Sequence, residues 1–292
     1  MNKLFIILFL LTPSFAYATW GAFGSKPIYK EPLAYPRSPE TGFATNTSEY
    51  YGKRVYYFEA IIGVNIPCVT YENRNLILQF GMQASTWMDL GYKNGAFPLL
   101  TQDFYLAAPA TFRYKDFSGA IKFNHISSHL GDGVDVLLDE VLTDEEKAEY
   151  EKLKGRPSVD VPLSEPVTYS RDYLSAHLSY DFSIHGVQSK IYGHIGYIHK
   201  VHPQGLKPWF LGNGFESTYY MKYFAPYYAQ DVTWNQDMDS VDYSSQFGVI
   251  VVPDDNALFE MRLAATIYIG SDRRGQMVGR RLKQFGFGLF IR

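Results

Sequence analysis

The chain of 292 residues contains one cysteine, Cys68, so no internal disulfide can brace it. Cys68 is expected to be a small apolar residue, buried or lipid-facing. Past the N-terminal residues no apolar run reaches the length of a membrane-crossing helix, which excludes a helical bundle in the bilayer. Charge of one sign is also lacking. The formal net charge is −3, which leaves no electrostatic footprint for a nucleic acid. No zinc spacing, phosphate loop or dinucleotide fingerprint occurs, and the seven His residues are scattered. No metal and no cofactor is therefore assigned, and calcium is the one ion left open. Aromatics are what the chain has in excess, with 24 Tyr and 21 Phe at a mean hydropathy of −0.18. Aromatic girdles around a polar interior would produce that combination in a transmembrane β-barrel. An aromatic-rich secreted β-sandwich is the soluble alternative.

The first 18 residues read as a secretion signal. Lys3 supplies the positive start, Leu4 to Leu11 the apolar core, and Ala16-Tyr17-Ala18 a small-residue cleavage site. Residues 19–40 are Pro-rich and patternless, and are expected to form a periplasmic arm or a plug. From residue 41 to 292 apolar residues recur at every second position. Tyr56, Phe58, Ala60, Ile62 and Val64 share one face, with Tyr57 and Glu59 opposite. Leu76, Leu78, Phe80, Met82 and Ala84 oppose Gln79, Gln83 and Ser85. Such alternation is the signature of a wall with lipid outside and a polar lumen inside.

Continuing this pattern predicts an all-β, antiparallel transmembrane barrel of about twelve strands. Ten is the alternative, if 208–235 is one strand. Twelve places short turns at Lys115-Asp116-Phe117, Ser183–Gly186 and Pro253–Asn256 on one side and the long loop 129–168 on the other. Short periplasmic turns and long extracellular loops are the expected polarity of an outer-membrane barrel. The last strand presents Phe285, Phe287, Leu289 and Ile291 on one face, as barrel-assembly machinery would read, although Arg292 follows them. Within the long loop, Thr143 and Glu146 form a capping box that predicts a short acidic helix over about 143–154.

Polar residues on the apolar face call for a reason. Ile121, Phe123, His125 and Ser127 share the outward face of one strand, with Lys122 and Asn124 facing the lumen. On the next strand Asp172 and Ser170 continue the outward set Leu174, Ala176, Leu178, Tyr180 and Phe182. Thus His125, Ser127 and Asp172 are expected at similar depth on one outer surface. A serine nucleophile needs a base, and the base needs an acceptor that fixes its tautomer. Ser127, His125 and Asp172 can fill those roles at an acyl ester of an outer-membrane lipid. The plain alternative is a structural rim, and His129 could compete as the base. A second, inward set comprises Arg171, Tyr173, Ser175, His177, Lys190, Tyr192, His194, Glu260 and Arg262. It is expected to be a hydrogen-bonded filling, with a narrow pore or an adhesive barrel as rival functions.

Three blocks resemble the bacterial domain of unknown function 1207. They are Glu31 to Pro39, His125-Ile126-Ser127-Ser128-His129-Leu130-Gly131-Asp132, and Tyr169-Ser170-Arg171-Asp172. The resemblance implies an envelope protein and carries no established activity. A more local resemblance is to outer-membrane phospholipase A, in the order of His125, Ser127, Ser170 and Arg171. It implies a lipid acyl hydrolase with Ser127 as nucleophile and His125 as base. Leu174 stands where that family's orienting Asn belongs, so Asp172 would act from one pleat higher. The expected partners are outer-membrane lipids and lipopolysaccharide, and the expected location is the outer membrane.

Overall fold

A strand that is apolar on one face and polar on the other cannot bury both. A closed ring resolves this, because it pairs every backbone group and leaves no edge. The computed structural model describes residues 19–22, 26–50, 53–92, 94–131, 133, 143–145, 169–202, 205–236, 239–251, 259–275 and 281–292. Its strands are β1 (Thr19–Ala22), β2 (Thr41–Tyr50), β3 (Lys53–Asn73), β4 (Leu76–Leu90), β5 (Leu99–Tyr114), β6 (Phe117–Leu130), β7 (Tyr169–Ile184), β8 (Val187–His202), β9 (Trp209–Tyr219), β10 (Phe224–Asn235), β11 (Ser240–Val251), β12 (Met261–Ser271) and β13 (Arg281–Ile291). Each of β2 to β13 pairs antiparallel with its neighbours in sequence, and β13 pairs with β2. The result is a closed barrel of twelve strands. β1 is an extra strand, lying against Val69–Glu72 of β3 beyond the reach of β2.

Twelve rather than ten follows from the chain reversal at 220–223, where Met221 N donates to the Phe224 carbonyl. β9 and β10 are thereby two antiparallel strands. The alternation is realised as expected. Tyr56, Phe80, Met82, Ile121 and Phe123 are exposed on the outside, while Tyr57, Glu59, Gln79, Gln83, Lys122 and Asn124 are buried inside. At one end of the barrel the reversals that follow β3, β5, β7 and β9 are short. At one of them His185 (φ 49°) and Gly186 (φ 82°) both take the positive φ that a type I′ hairpin requires. At the other end lies the longest connection in the sequence, between Leu130 of β6 and Tyr169 of β7. The expected signal lies outside the described residues, and of the expected loop helix only Thr143, Asp144 and Glu145 are described.

Residues 26–40 run inside the ring. Glu31 accepts from Gln83 of β4 at 3.3 Å and from Lys122 of β6 at 2.9 Å. Arg37 reaches Asp103 of β5 at 2.6 Å, and Tyr35 packs edge-on against His177 of β7 and His194 of β8. Leu33 N donates to Glu216 of β9 at 2.9 Å, and Glu40 pairs with Arg262 of β12. Only a segment within the lumen can touch strands on all sides of a ring. The apolar core is therefore luminal as well, with Leu33 and Ala34 among Ile61, Trp87, Tyr227 and Phe290. Glycines make room for flat rings on this inner wall. A Cβ on Gly212 or Gly214 would overlap His194 or Tyr192 of the adjacent strand.

Two expectations follow from the wall. Leu178 is outward, exposed and mid-strand on β7. Leu178→Arg is expected to cost about 2–4 kcal/mol if it lies near the bilayer midplane. Urea titration of the barrel in lipid vesicles would measure it, and an unchanged midpoint would place Leu178 off the lipid face. At the tight-turn end, Glu260 exchanges backbone hydrogen bonds with Arg292 and binds its guanidinium at 2.8 Å. Burial alone would raise the Glu260 carboxyl, but Arg292 and Lys30 outweigh it and hold the group below its ordinary value. A depressed carboxyl stabilises the fold above its unfolded value, and that contribution disappears as pH falls through the folded one. Wild type should thus exceed Glu260→Gln in urea resistance at neutral pH. The two should converge in acid, below the ordinary carboxylate range.

Candidate active site

The barrel wall positions the polar residues of the outer face. β6 and β7 pair so that His125 stands opposite Asp172 and Ser127 opposite Ser170. On the far side of β6 the same rows continue to Leu106 and Phe104 of β5. One row therefore reads Leu106, His125, Asp172, and the next, nearer the long-loop end, reads Phe104, Ser127, Ser170. Towards the tight-turn end of the strands the face is wholly apolar, with Phe123, Ile121 and Leu174 exposed. The polar row thus begins where the apolar band ends.

His125 Nδ1 and Asp172 Oδ1 are 2.6 Å apart, with side chains 42 % and 22 % exposed. The distance is that of a charge-assisted hydrogen bond. An imidazole that donates Nδ1–H to a carboxylate keeps its Nε2 lone pair for another proton. Ser127 is partly exposed on the same strand face, two residues on. It makes no hydrogen bond to His125 in the structure. Of the three residues expected to act together, the structure joins two directly and brings the third onto the same face. His129 is also outward on β6, where its ring packs edge-on against Phe104. Among the described residues no cluster of three or more His, Cys, Asp or Glu side chains could hold a metal ion.

Sequence reasoning did not find the contribution of β8. The pairing of β7 with β8 slips between Asp172 and Tyr173, because Lys200 faces Asp172 while Ile198 faces Tyr173. His199 is the extra residue of this bulge. It and Lys200 are both exposed, and the His199 ring lies 5.7 Å from that of Phe123. Strict alternation, applied strand by strand, cannot reveal a bulge, which only pairing defines. The inward set is assembled largely as expected. Tyr173, Ser175, His177, Tyr192, His194 and Arg262 are buried, and Lys190 pairs with Glu216 at 2.8 Å. Glu260 instead lies just outside β12, at the barrel end.

The profile of the family described as "Protein of unknown function (DUF1207)" matches residues 51–291. The chain belongs to this family. The match takes in β3 to β13 and hence His125, Ser127 and Asp172. Among solved structures the barrel is similar to outer membrane phospholipase A from Escherichia coli, at 10 % identity and a TM-score of 0.50, covering 92 % of this chain and 94 % of that one. An active-site mutant of the same enzyme gives 11 % identity with the same TM-score and coverage. LpxR from Salmonella typhimurium follows at 8 % identity and a TM-score of 0.37, covering 86 % and 99 %. At such identities the phospholipase likeness is one of fold. No curated protein matches the sequence.

Proposed function

We propose that this family member is an outer-membrane acyl-ester hydrolase that works from the lipid-facing side of its barrel. Ser127 is the nucleophile, His125 the general base and Asp172 the residue that orients it. The observation that carries this reading is the 2.6 Å His125–Asp172 bond on the outer face, at the upper limit of an apolar band. Polar groups on a lipid-facing wall are costly unless they lie at the interface, where ester bonds of membrane lipids also lie. Apo catalytic hydrogen bonds are often open and close on the substrate, which accounts for the unbonded Ser127.

In the reaction His125 Nε2 takes the Ser127 hydroxyl proton as Oγ attacks the ester carbonyl. The tetrahedral intermediate expels the alcohol, which receives that proton from His125. Water then attacks the acyl-serine with the same base, releasing the fatty acid. Acyl chains would lie along Phe123, Ile121 and Leu174. Phospholipid and the acyl groups of lipopolysaccharide are the substrate classes within reach of this face. Residues 1–18 would be removed on export, and barrel-assembly machinery would insert the rest with its tight turns in the periplasm.

The test is acyl release from phospholipid vesicles and from lipopolysaccharide by the refolded barrel, with and without calcium. Sulfonyl fluoride labelling should be followed by mass spectrometry in parallel. Fatty acid release with a single adduct on Ser127 is the expected result. Neither release nor adduct under any condition would return His125 and Ser127 to a structural rim.

A further inference from the structure

We infer that the lumen is a pathway for small anions that residues 26–40 hold closed. This rests on the inner wall alone and is independent of the outer-face chemistry. The segment adds no strand to the sheet. Pro27, Pro32, Pro36 and Pro39 lack the amide hydrogens that a ladder needs. The ring of β2 to β13 is therefore complete without it, and side-chain contacts rather than a sheet ladder hold the segment. Two cavities use it as a shared wall. One of about 110 Å³ lies towards the long loops, bounded by Tyr35, Arg37 and Arg171. The other, about 440 Å³, lies towards the tight turns, bounded by Lys30, Leu33 and Lys190. Removing the segment would join them through a wall lined by buried Lys122, Gln83, His177 and Arg262.

The anchors indicate which solutes this pathway takes. Two wall cations, Lys122 and Arg262, are each bound by a carboxylate of the segment, Glu31 and Glu40, and all four side chains are nearly inaccessible. The Arg262 guanidinium is only partly used. It reaches Glu40 through Nη2, while buried Nε and Nη1 have no acceptor. One oxygen of Glu31 is likewise buried without a donor. A guanidinium has five donors in a fork suited to a carboxylate or an oxyanion. Glu40 thus occupies an anion site without filling it. Against these two cations the segment pairs with two acids, buried Asp103 through Arg37 and, at the tight-turn end, Glu260 through Lys30, and Glu260 keeps Arg292 as a partner when the segment is gone. Departure of residues 26–40 would leave two uncompensated cations and one carboxylate at the constriction, and buried charges left unpaired demand water or a counter-ion.

The experiment is planar-bilayer recording across a potassium chloride gradient. It compares the full-length protein, a variant lacking residues 26–40, and the full-length double variant Glu31→Gln/Glu40→Gln. Heat-modifiable electrophoretic mobility establishes that each is folded. Wild type should be closed, the deletion steadily conducting with a reversal potential on the chloride side, and the double variant intermittently open. Flat traces from the folded deletion, or a potassium-selective pore, would overturn the inference. If the deletion does not fold, the double variant decides, and its silence would overturn it equally. A wild-type conductance equal to that of the deletion would remove the closing role of the segment.

Discussion

Ser127→Ala is expected to reduce acyl release to the uncatalysed background while leaving the barrel folded. The expectation is large because the hydroxyl is the only atom proposed to form a bond to the substrate. Without it, His125 has no proton to take at the attacking position. Loss of a serine nucleophile costs on the order of 10⁶ in kcat in a fully evolved triad, and residual catalysis comes from the surrounding groups. Folding should be indifferent, because Ser127 is partly exposed and makes no hydrogen bond to His125. Heat-modifiable mobility and acyl release, measured on one preparation, separate the two effects. Asp172→Ala serves as the internal comparison. Asp172 binds His125 without touching the ester, so its removal should lower the rate and spare the sulfonyl adduct on Ser127. Hydrolysis that persists in Ser127→Ala would rule out the assignment, however the Asp172 variant behaves.

Arg262→Met is expected to destabilise the folded protein by about 3–5 kcal/mol, the usual consequence of leaving one member of a buried pair without the other. Arg262 is fully buried on β12, and Glu40 has no other ion-pair partner among the described residues. Methionine keeps an unbranched apolar stem in place of the arginine stem, and the stranded Glu40 carboxylate supplies most of the expected loss. Combining it with Glu40→Gln should recover most of the loss, since the stranded carboxylate is then absent. The coupling is read from urea midpoints of wild type, both single variants and the double variant. An Arg262→Met protein as stable as wild type would show that Glu40 is not held as a buried charge. The same cycle at Lys122 and Glu31 should behave alike, because that pair is equally enclosed.

The period-two pattern alone specified the strands. A one-residue shift would invert every side chain between lipid and lumen, so the choice of face is strongly determined wherever the two solvents differ. That is why Ile121 and Phe123 could be placed outside and Lys122 and Asn124 inside. It is also why His125, Ser127 and Asp172 could be assigned to one surface from parity alone. The place of residues 26–40 was not legible to the same degree. They are Pro-rich and aperiodic, and their partners Lys122, Glu216 and Arg262 lie far along the chain. Nothing local distinguishes Glu31 as a luminal anchor from Glu31 as a solvated charge.

The composition and alternation of this sequence determined a closed antiparallel wall, the outward identity of its apolar face and the candidate triad residues. These depend on local chemistry and on parity, which a single chain carries in full. Tertiary structure decided the His125–Asp172 bond, the bulge that presents His199 and Lys200 beside it, and the filling of the lumen. Each of these rests on the register between strands or on contacts across a ring. Register and closure are set by the sum of many pairings, and no short stretch of sequence contains that sum.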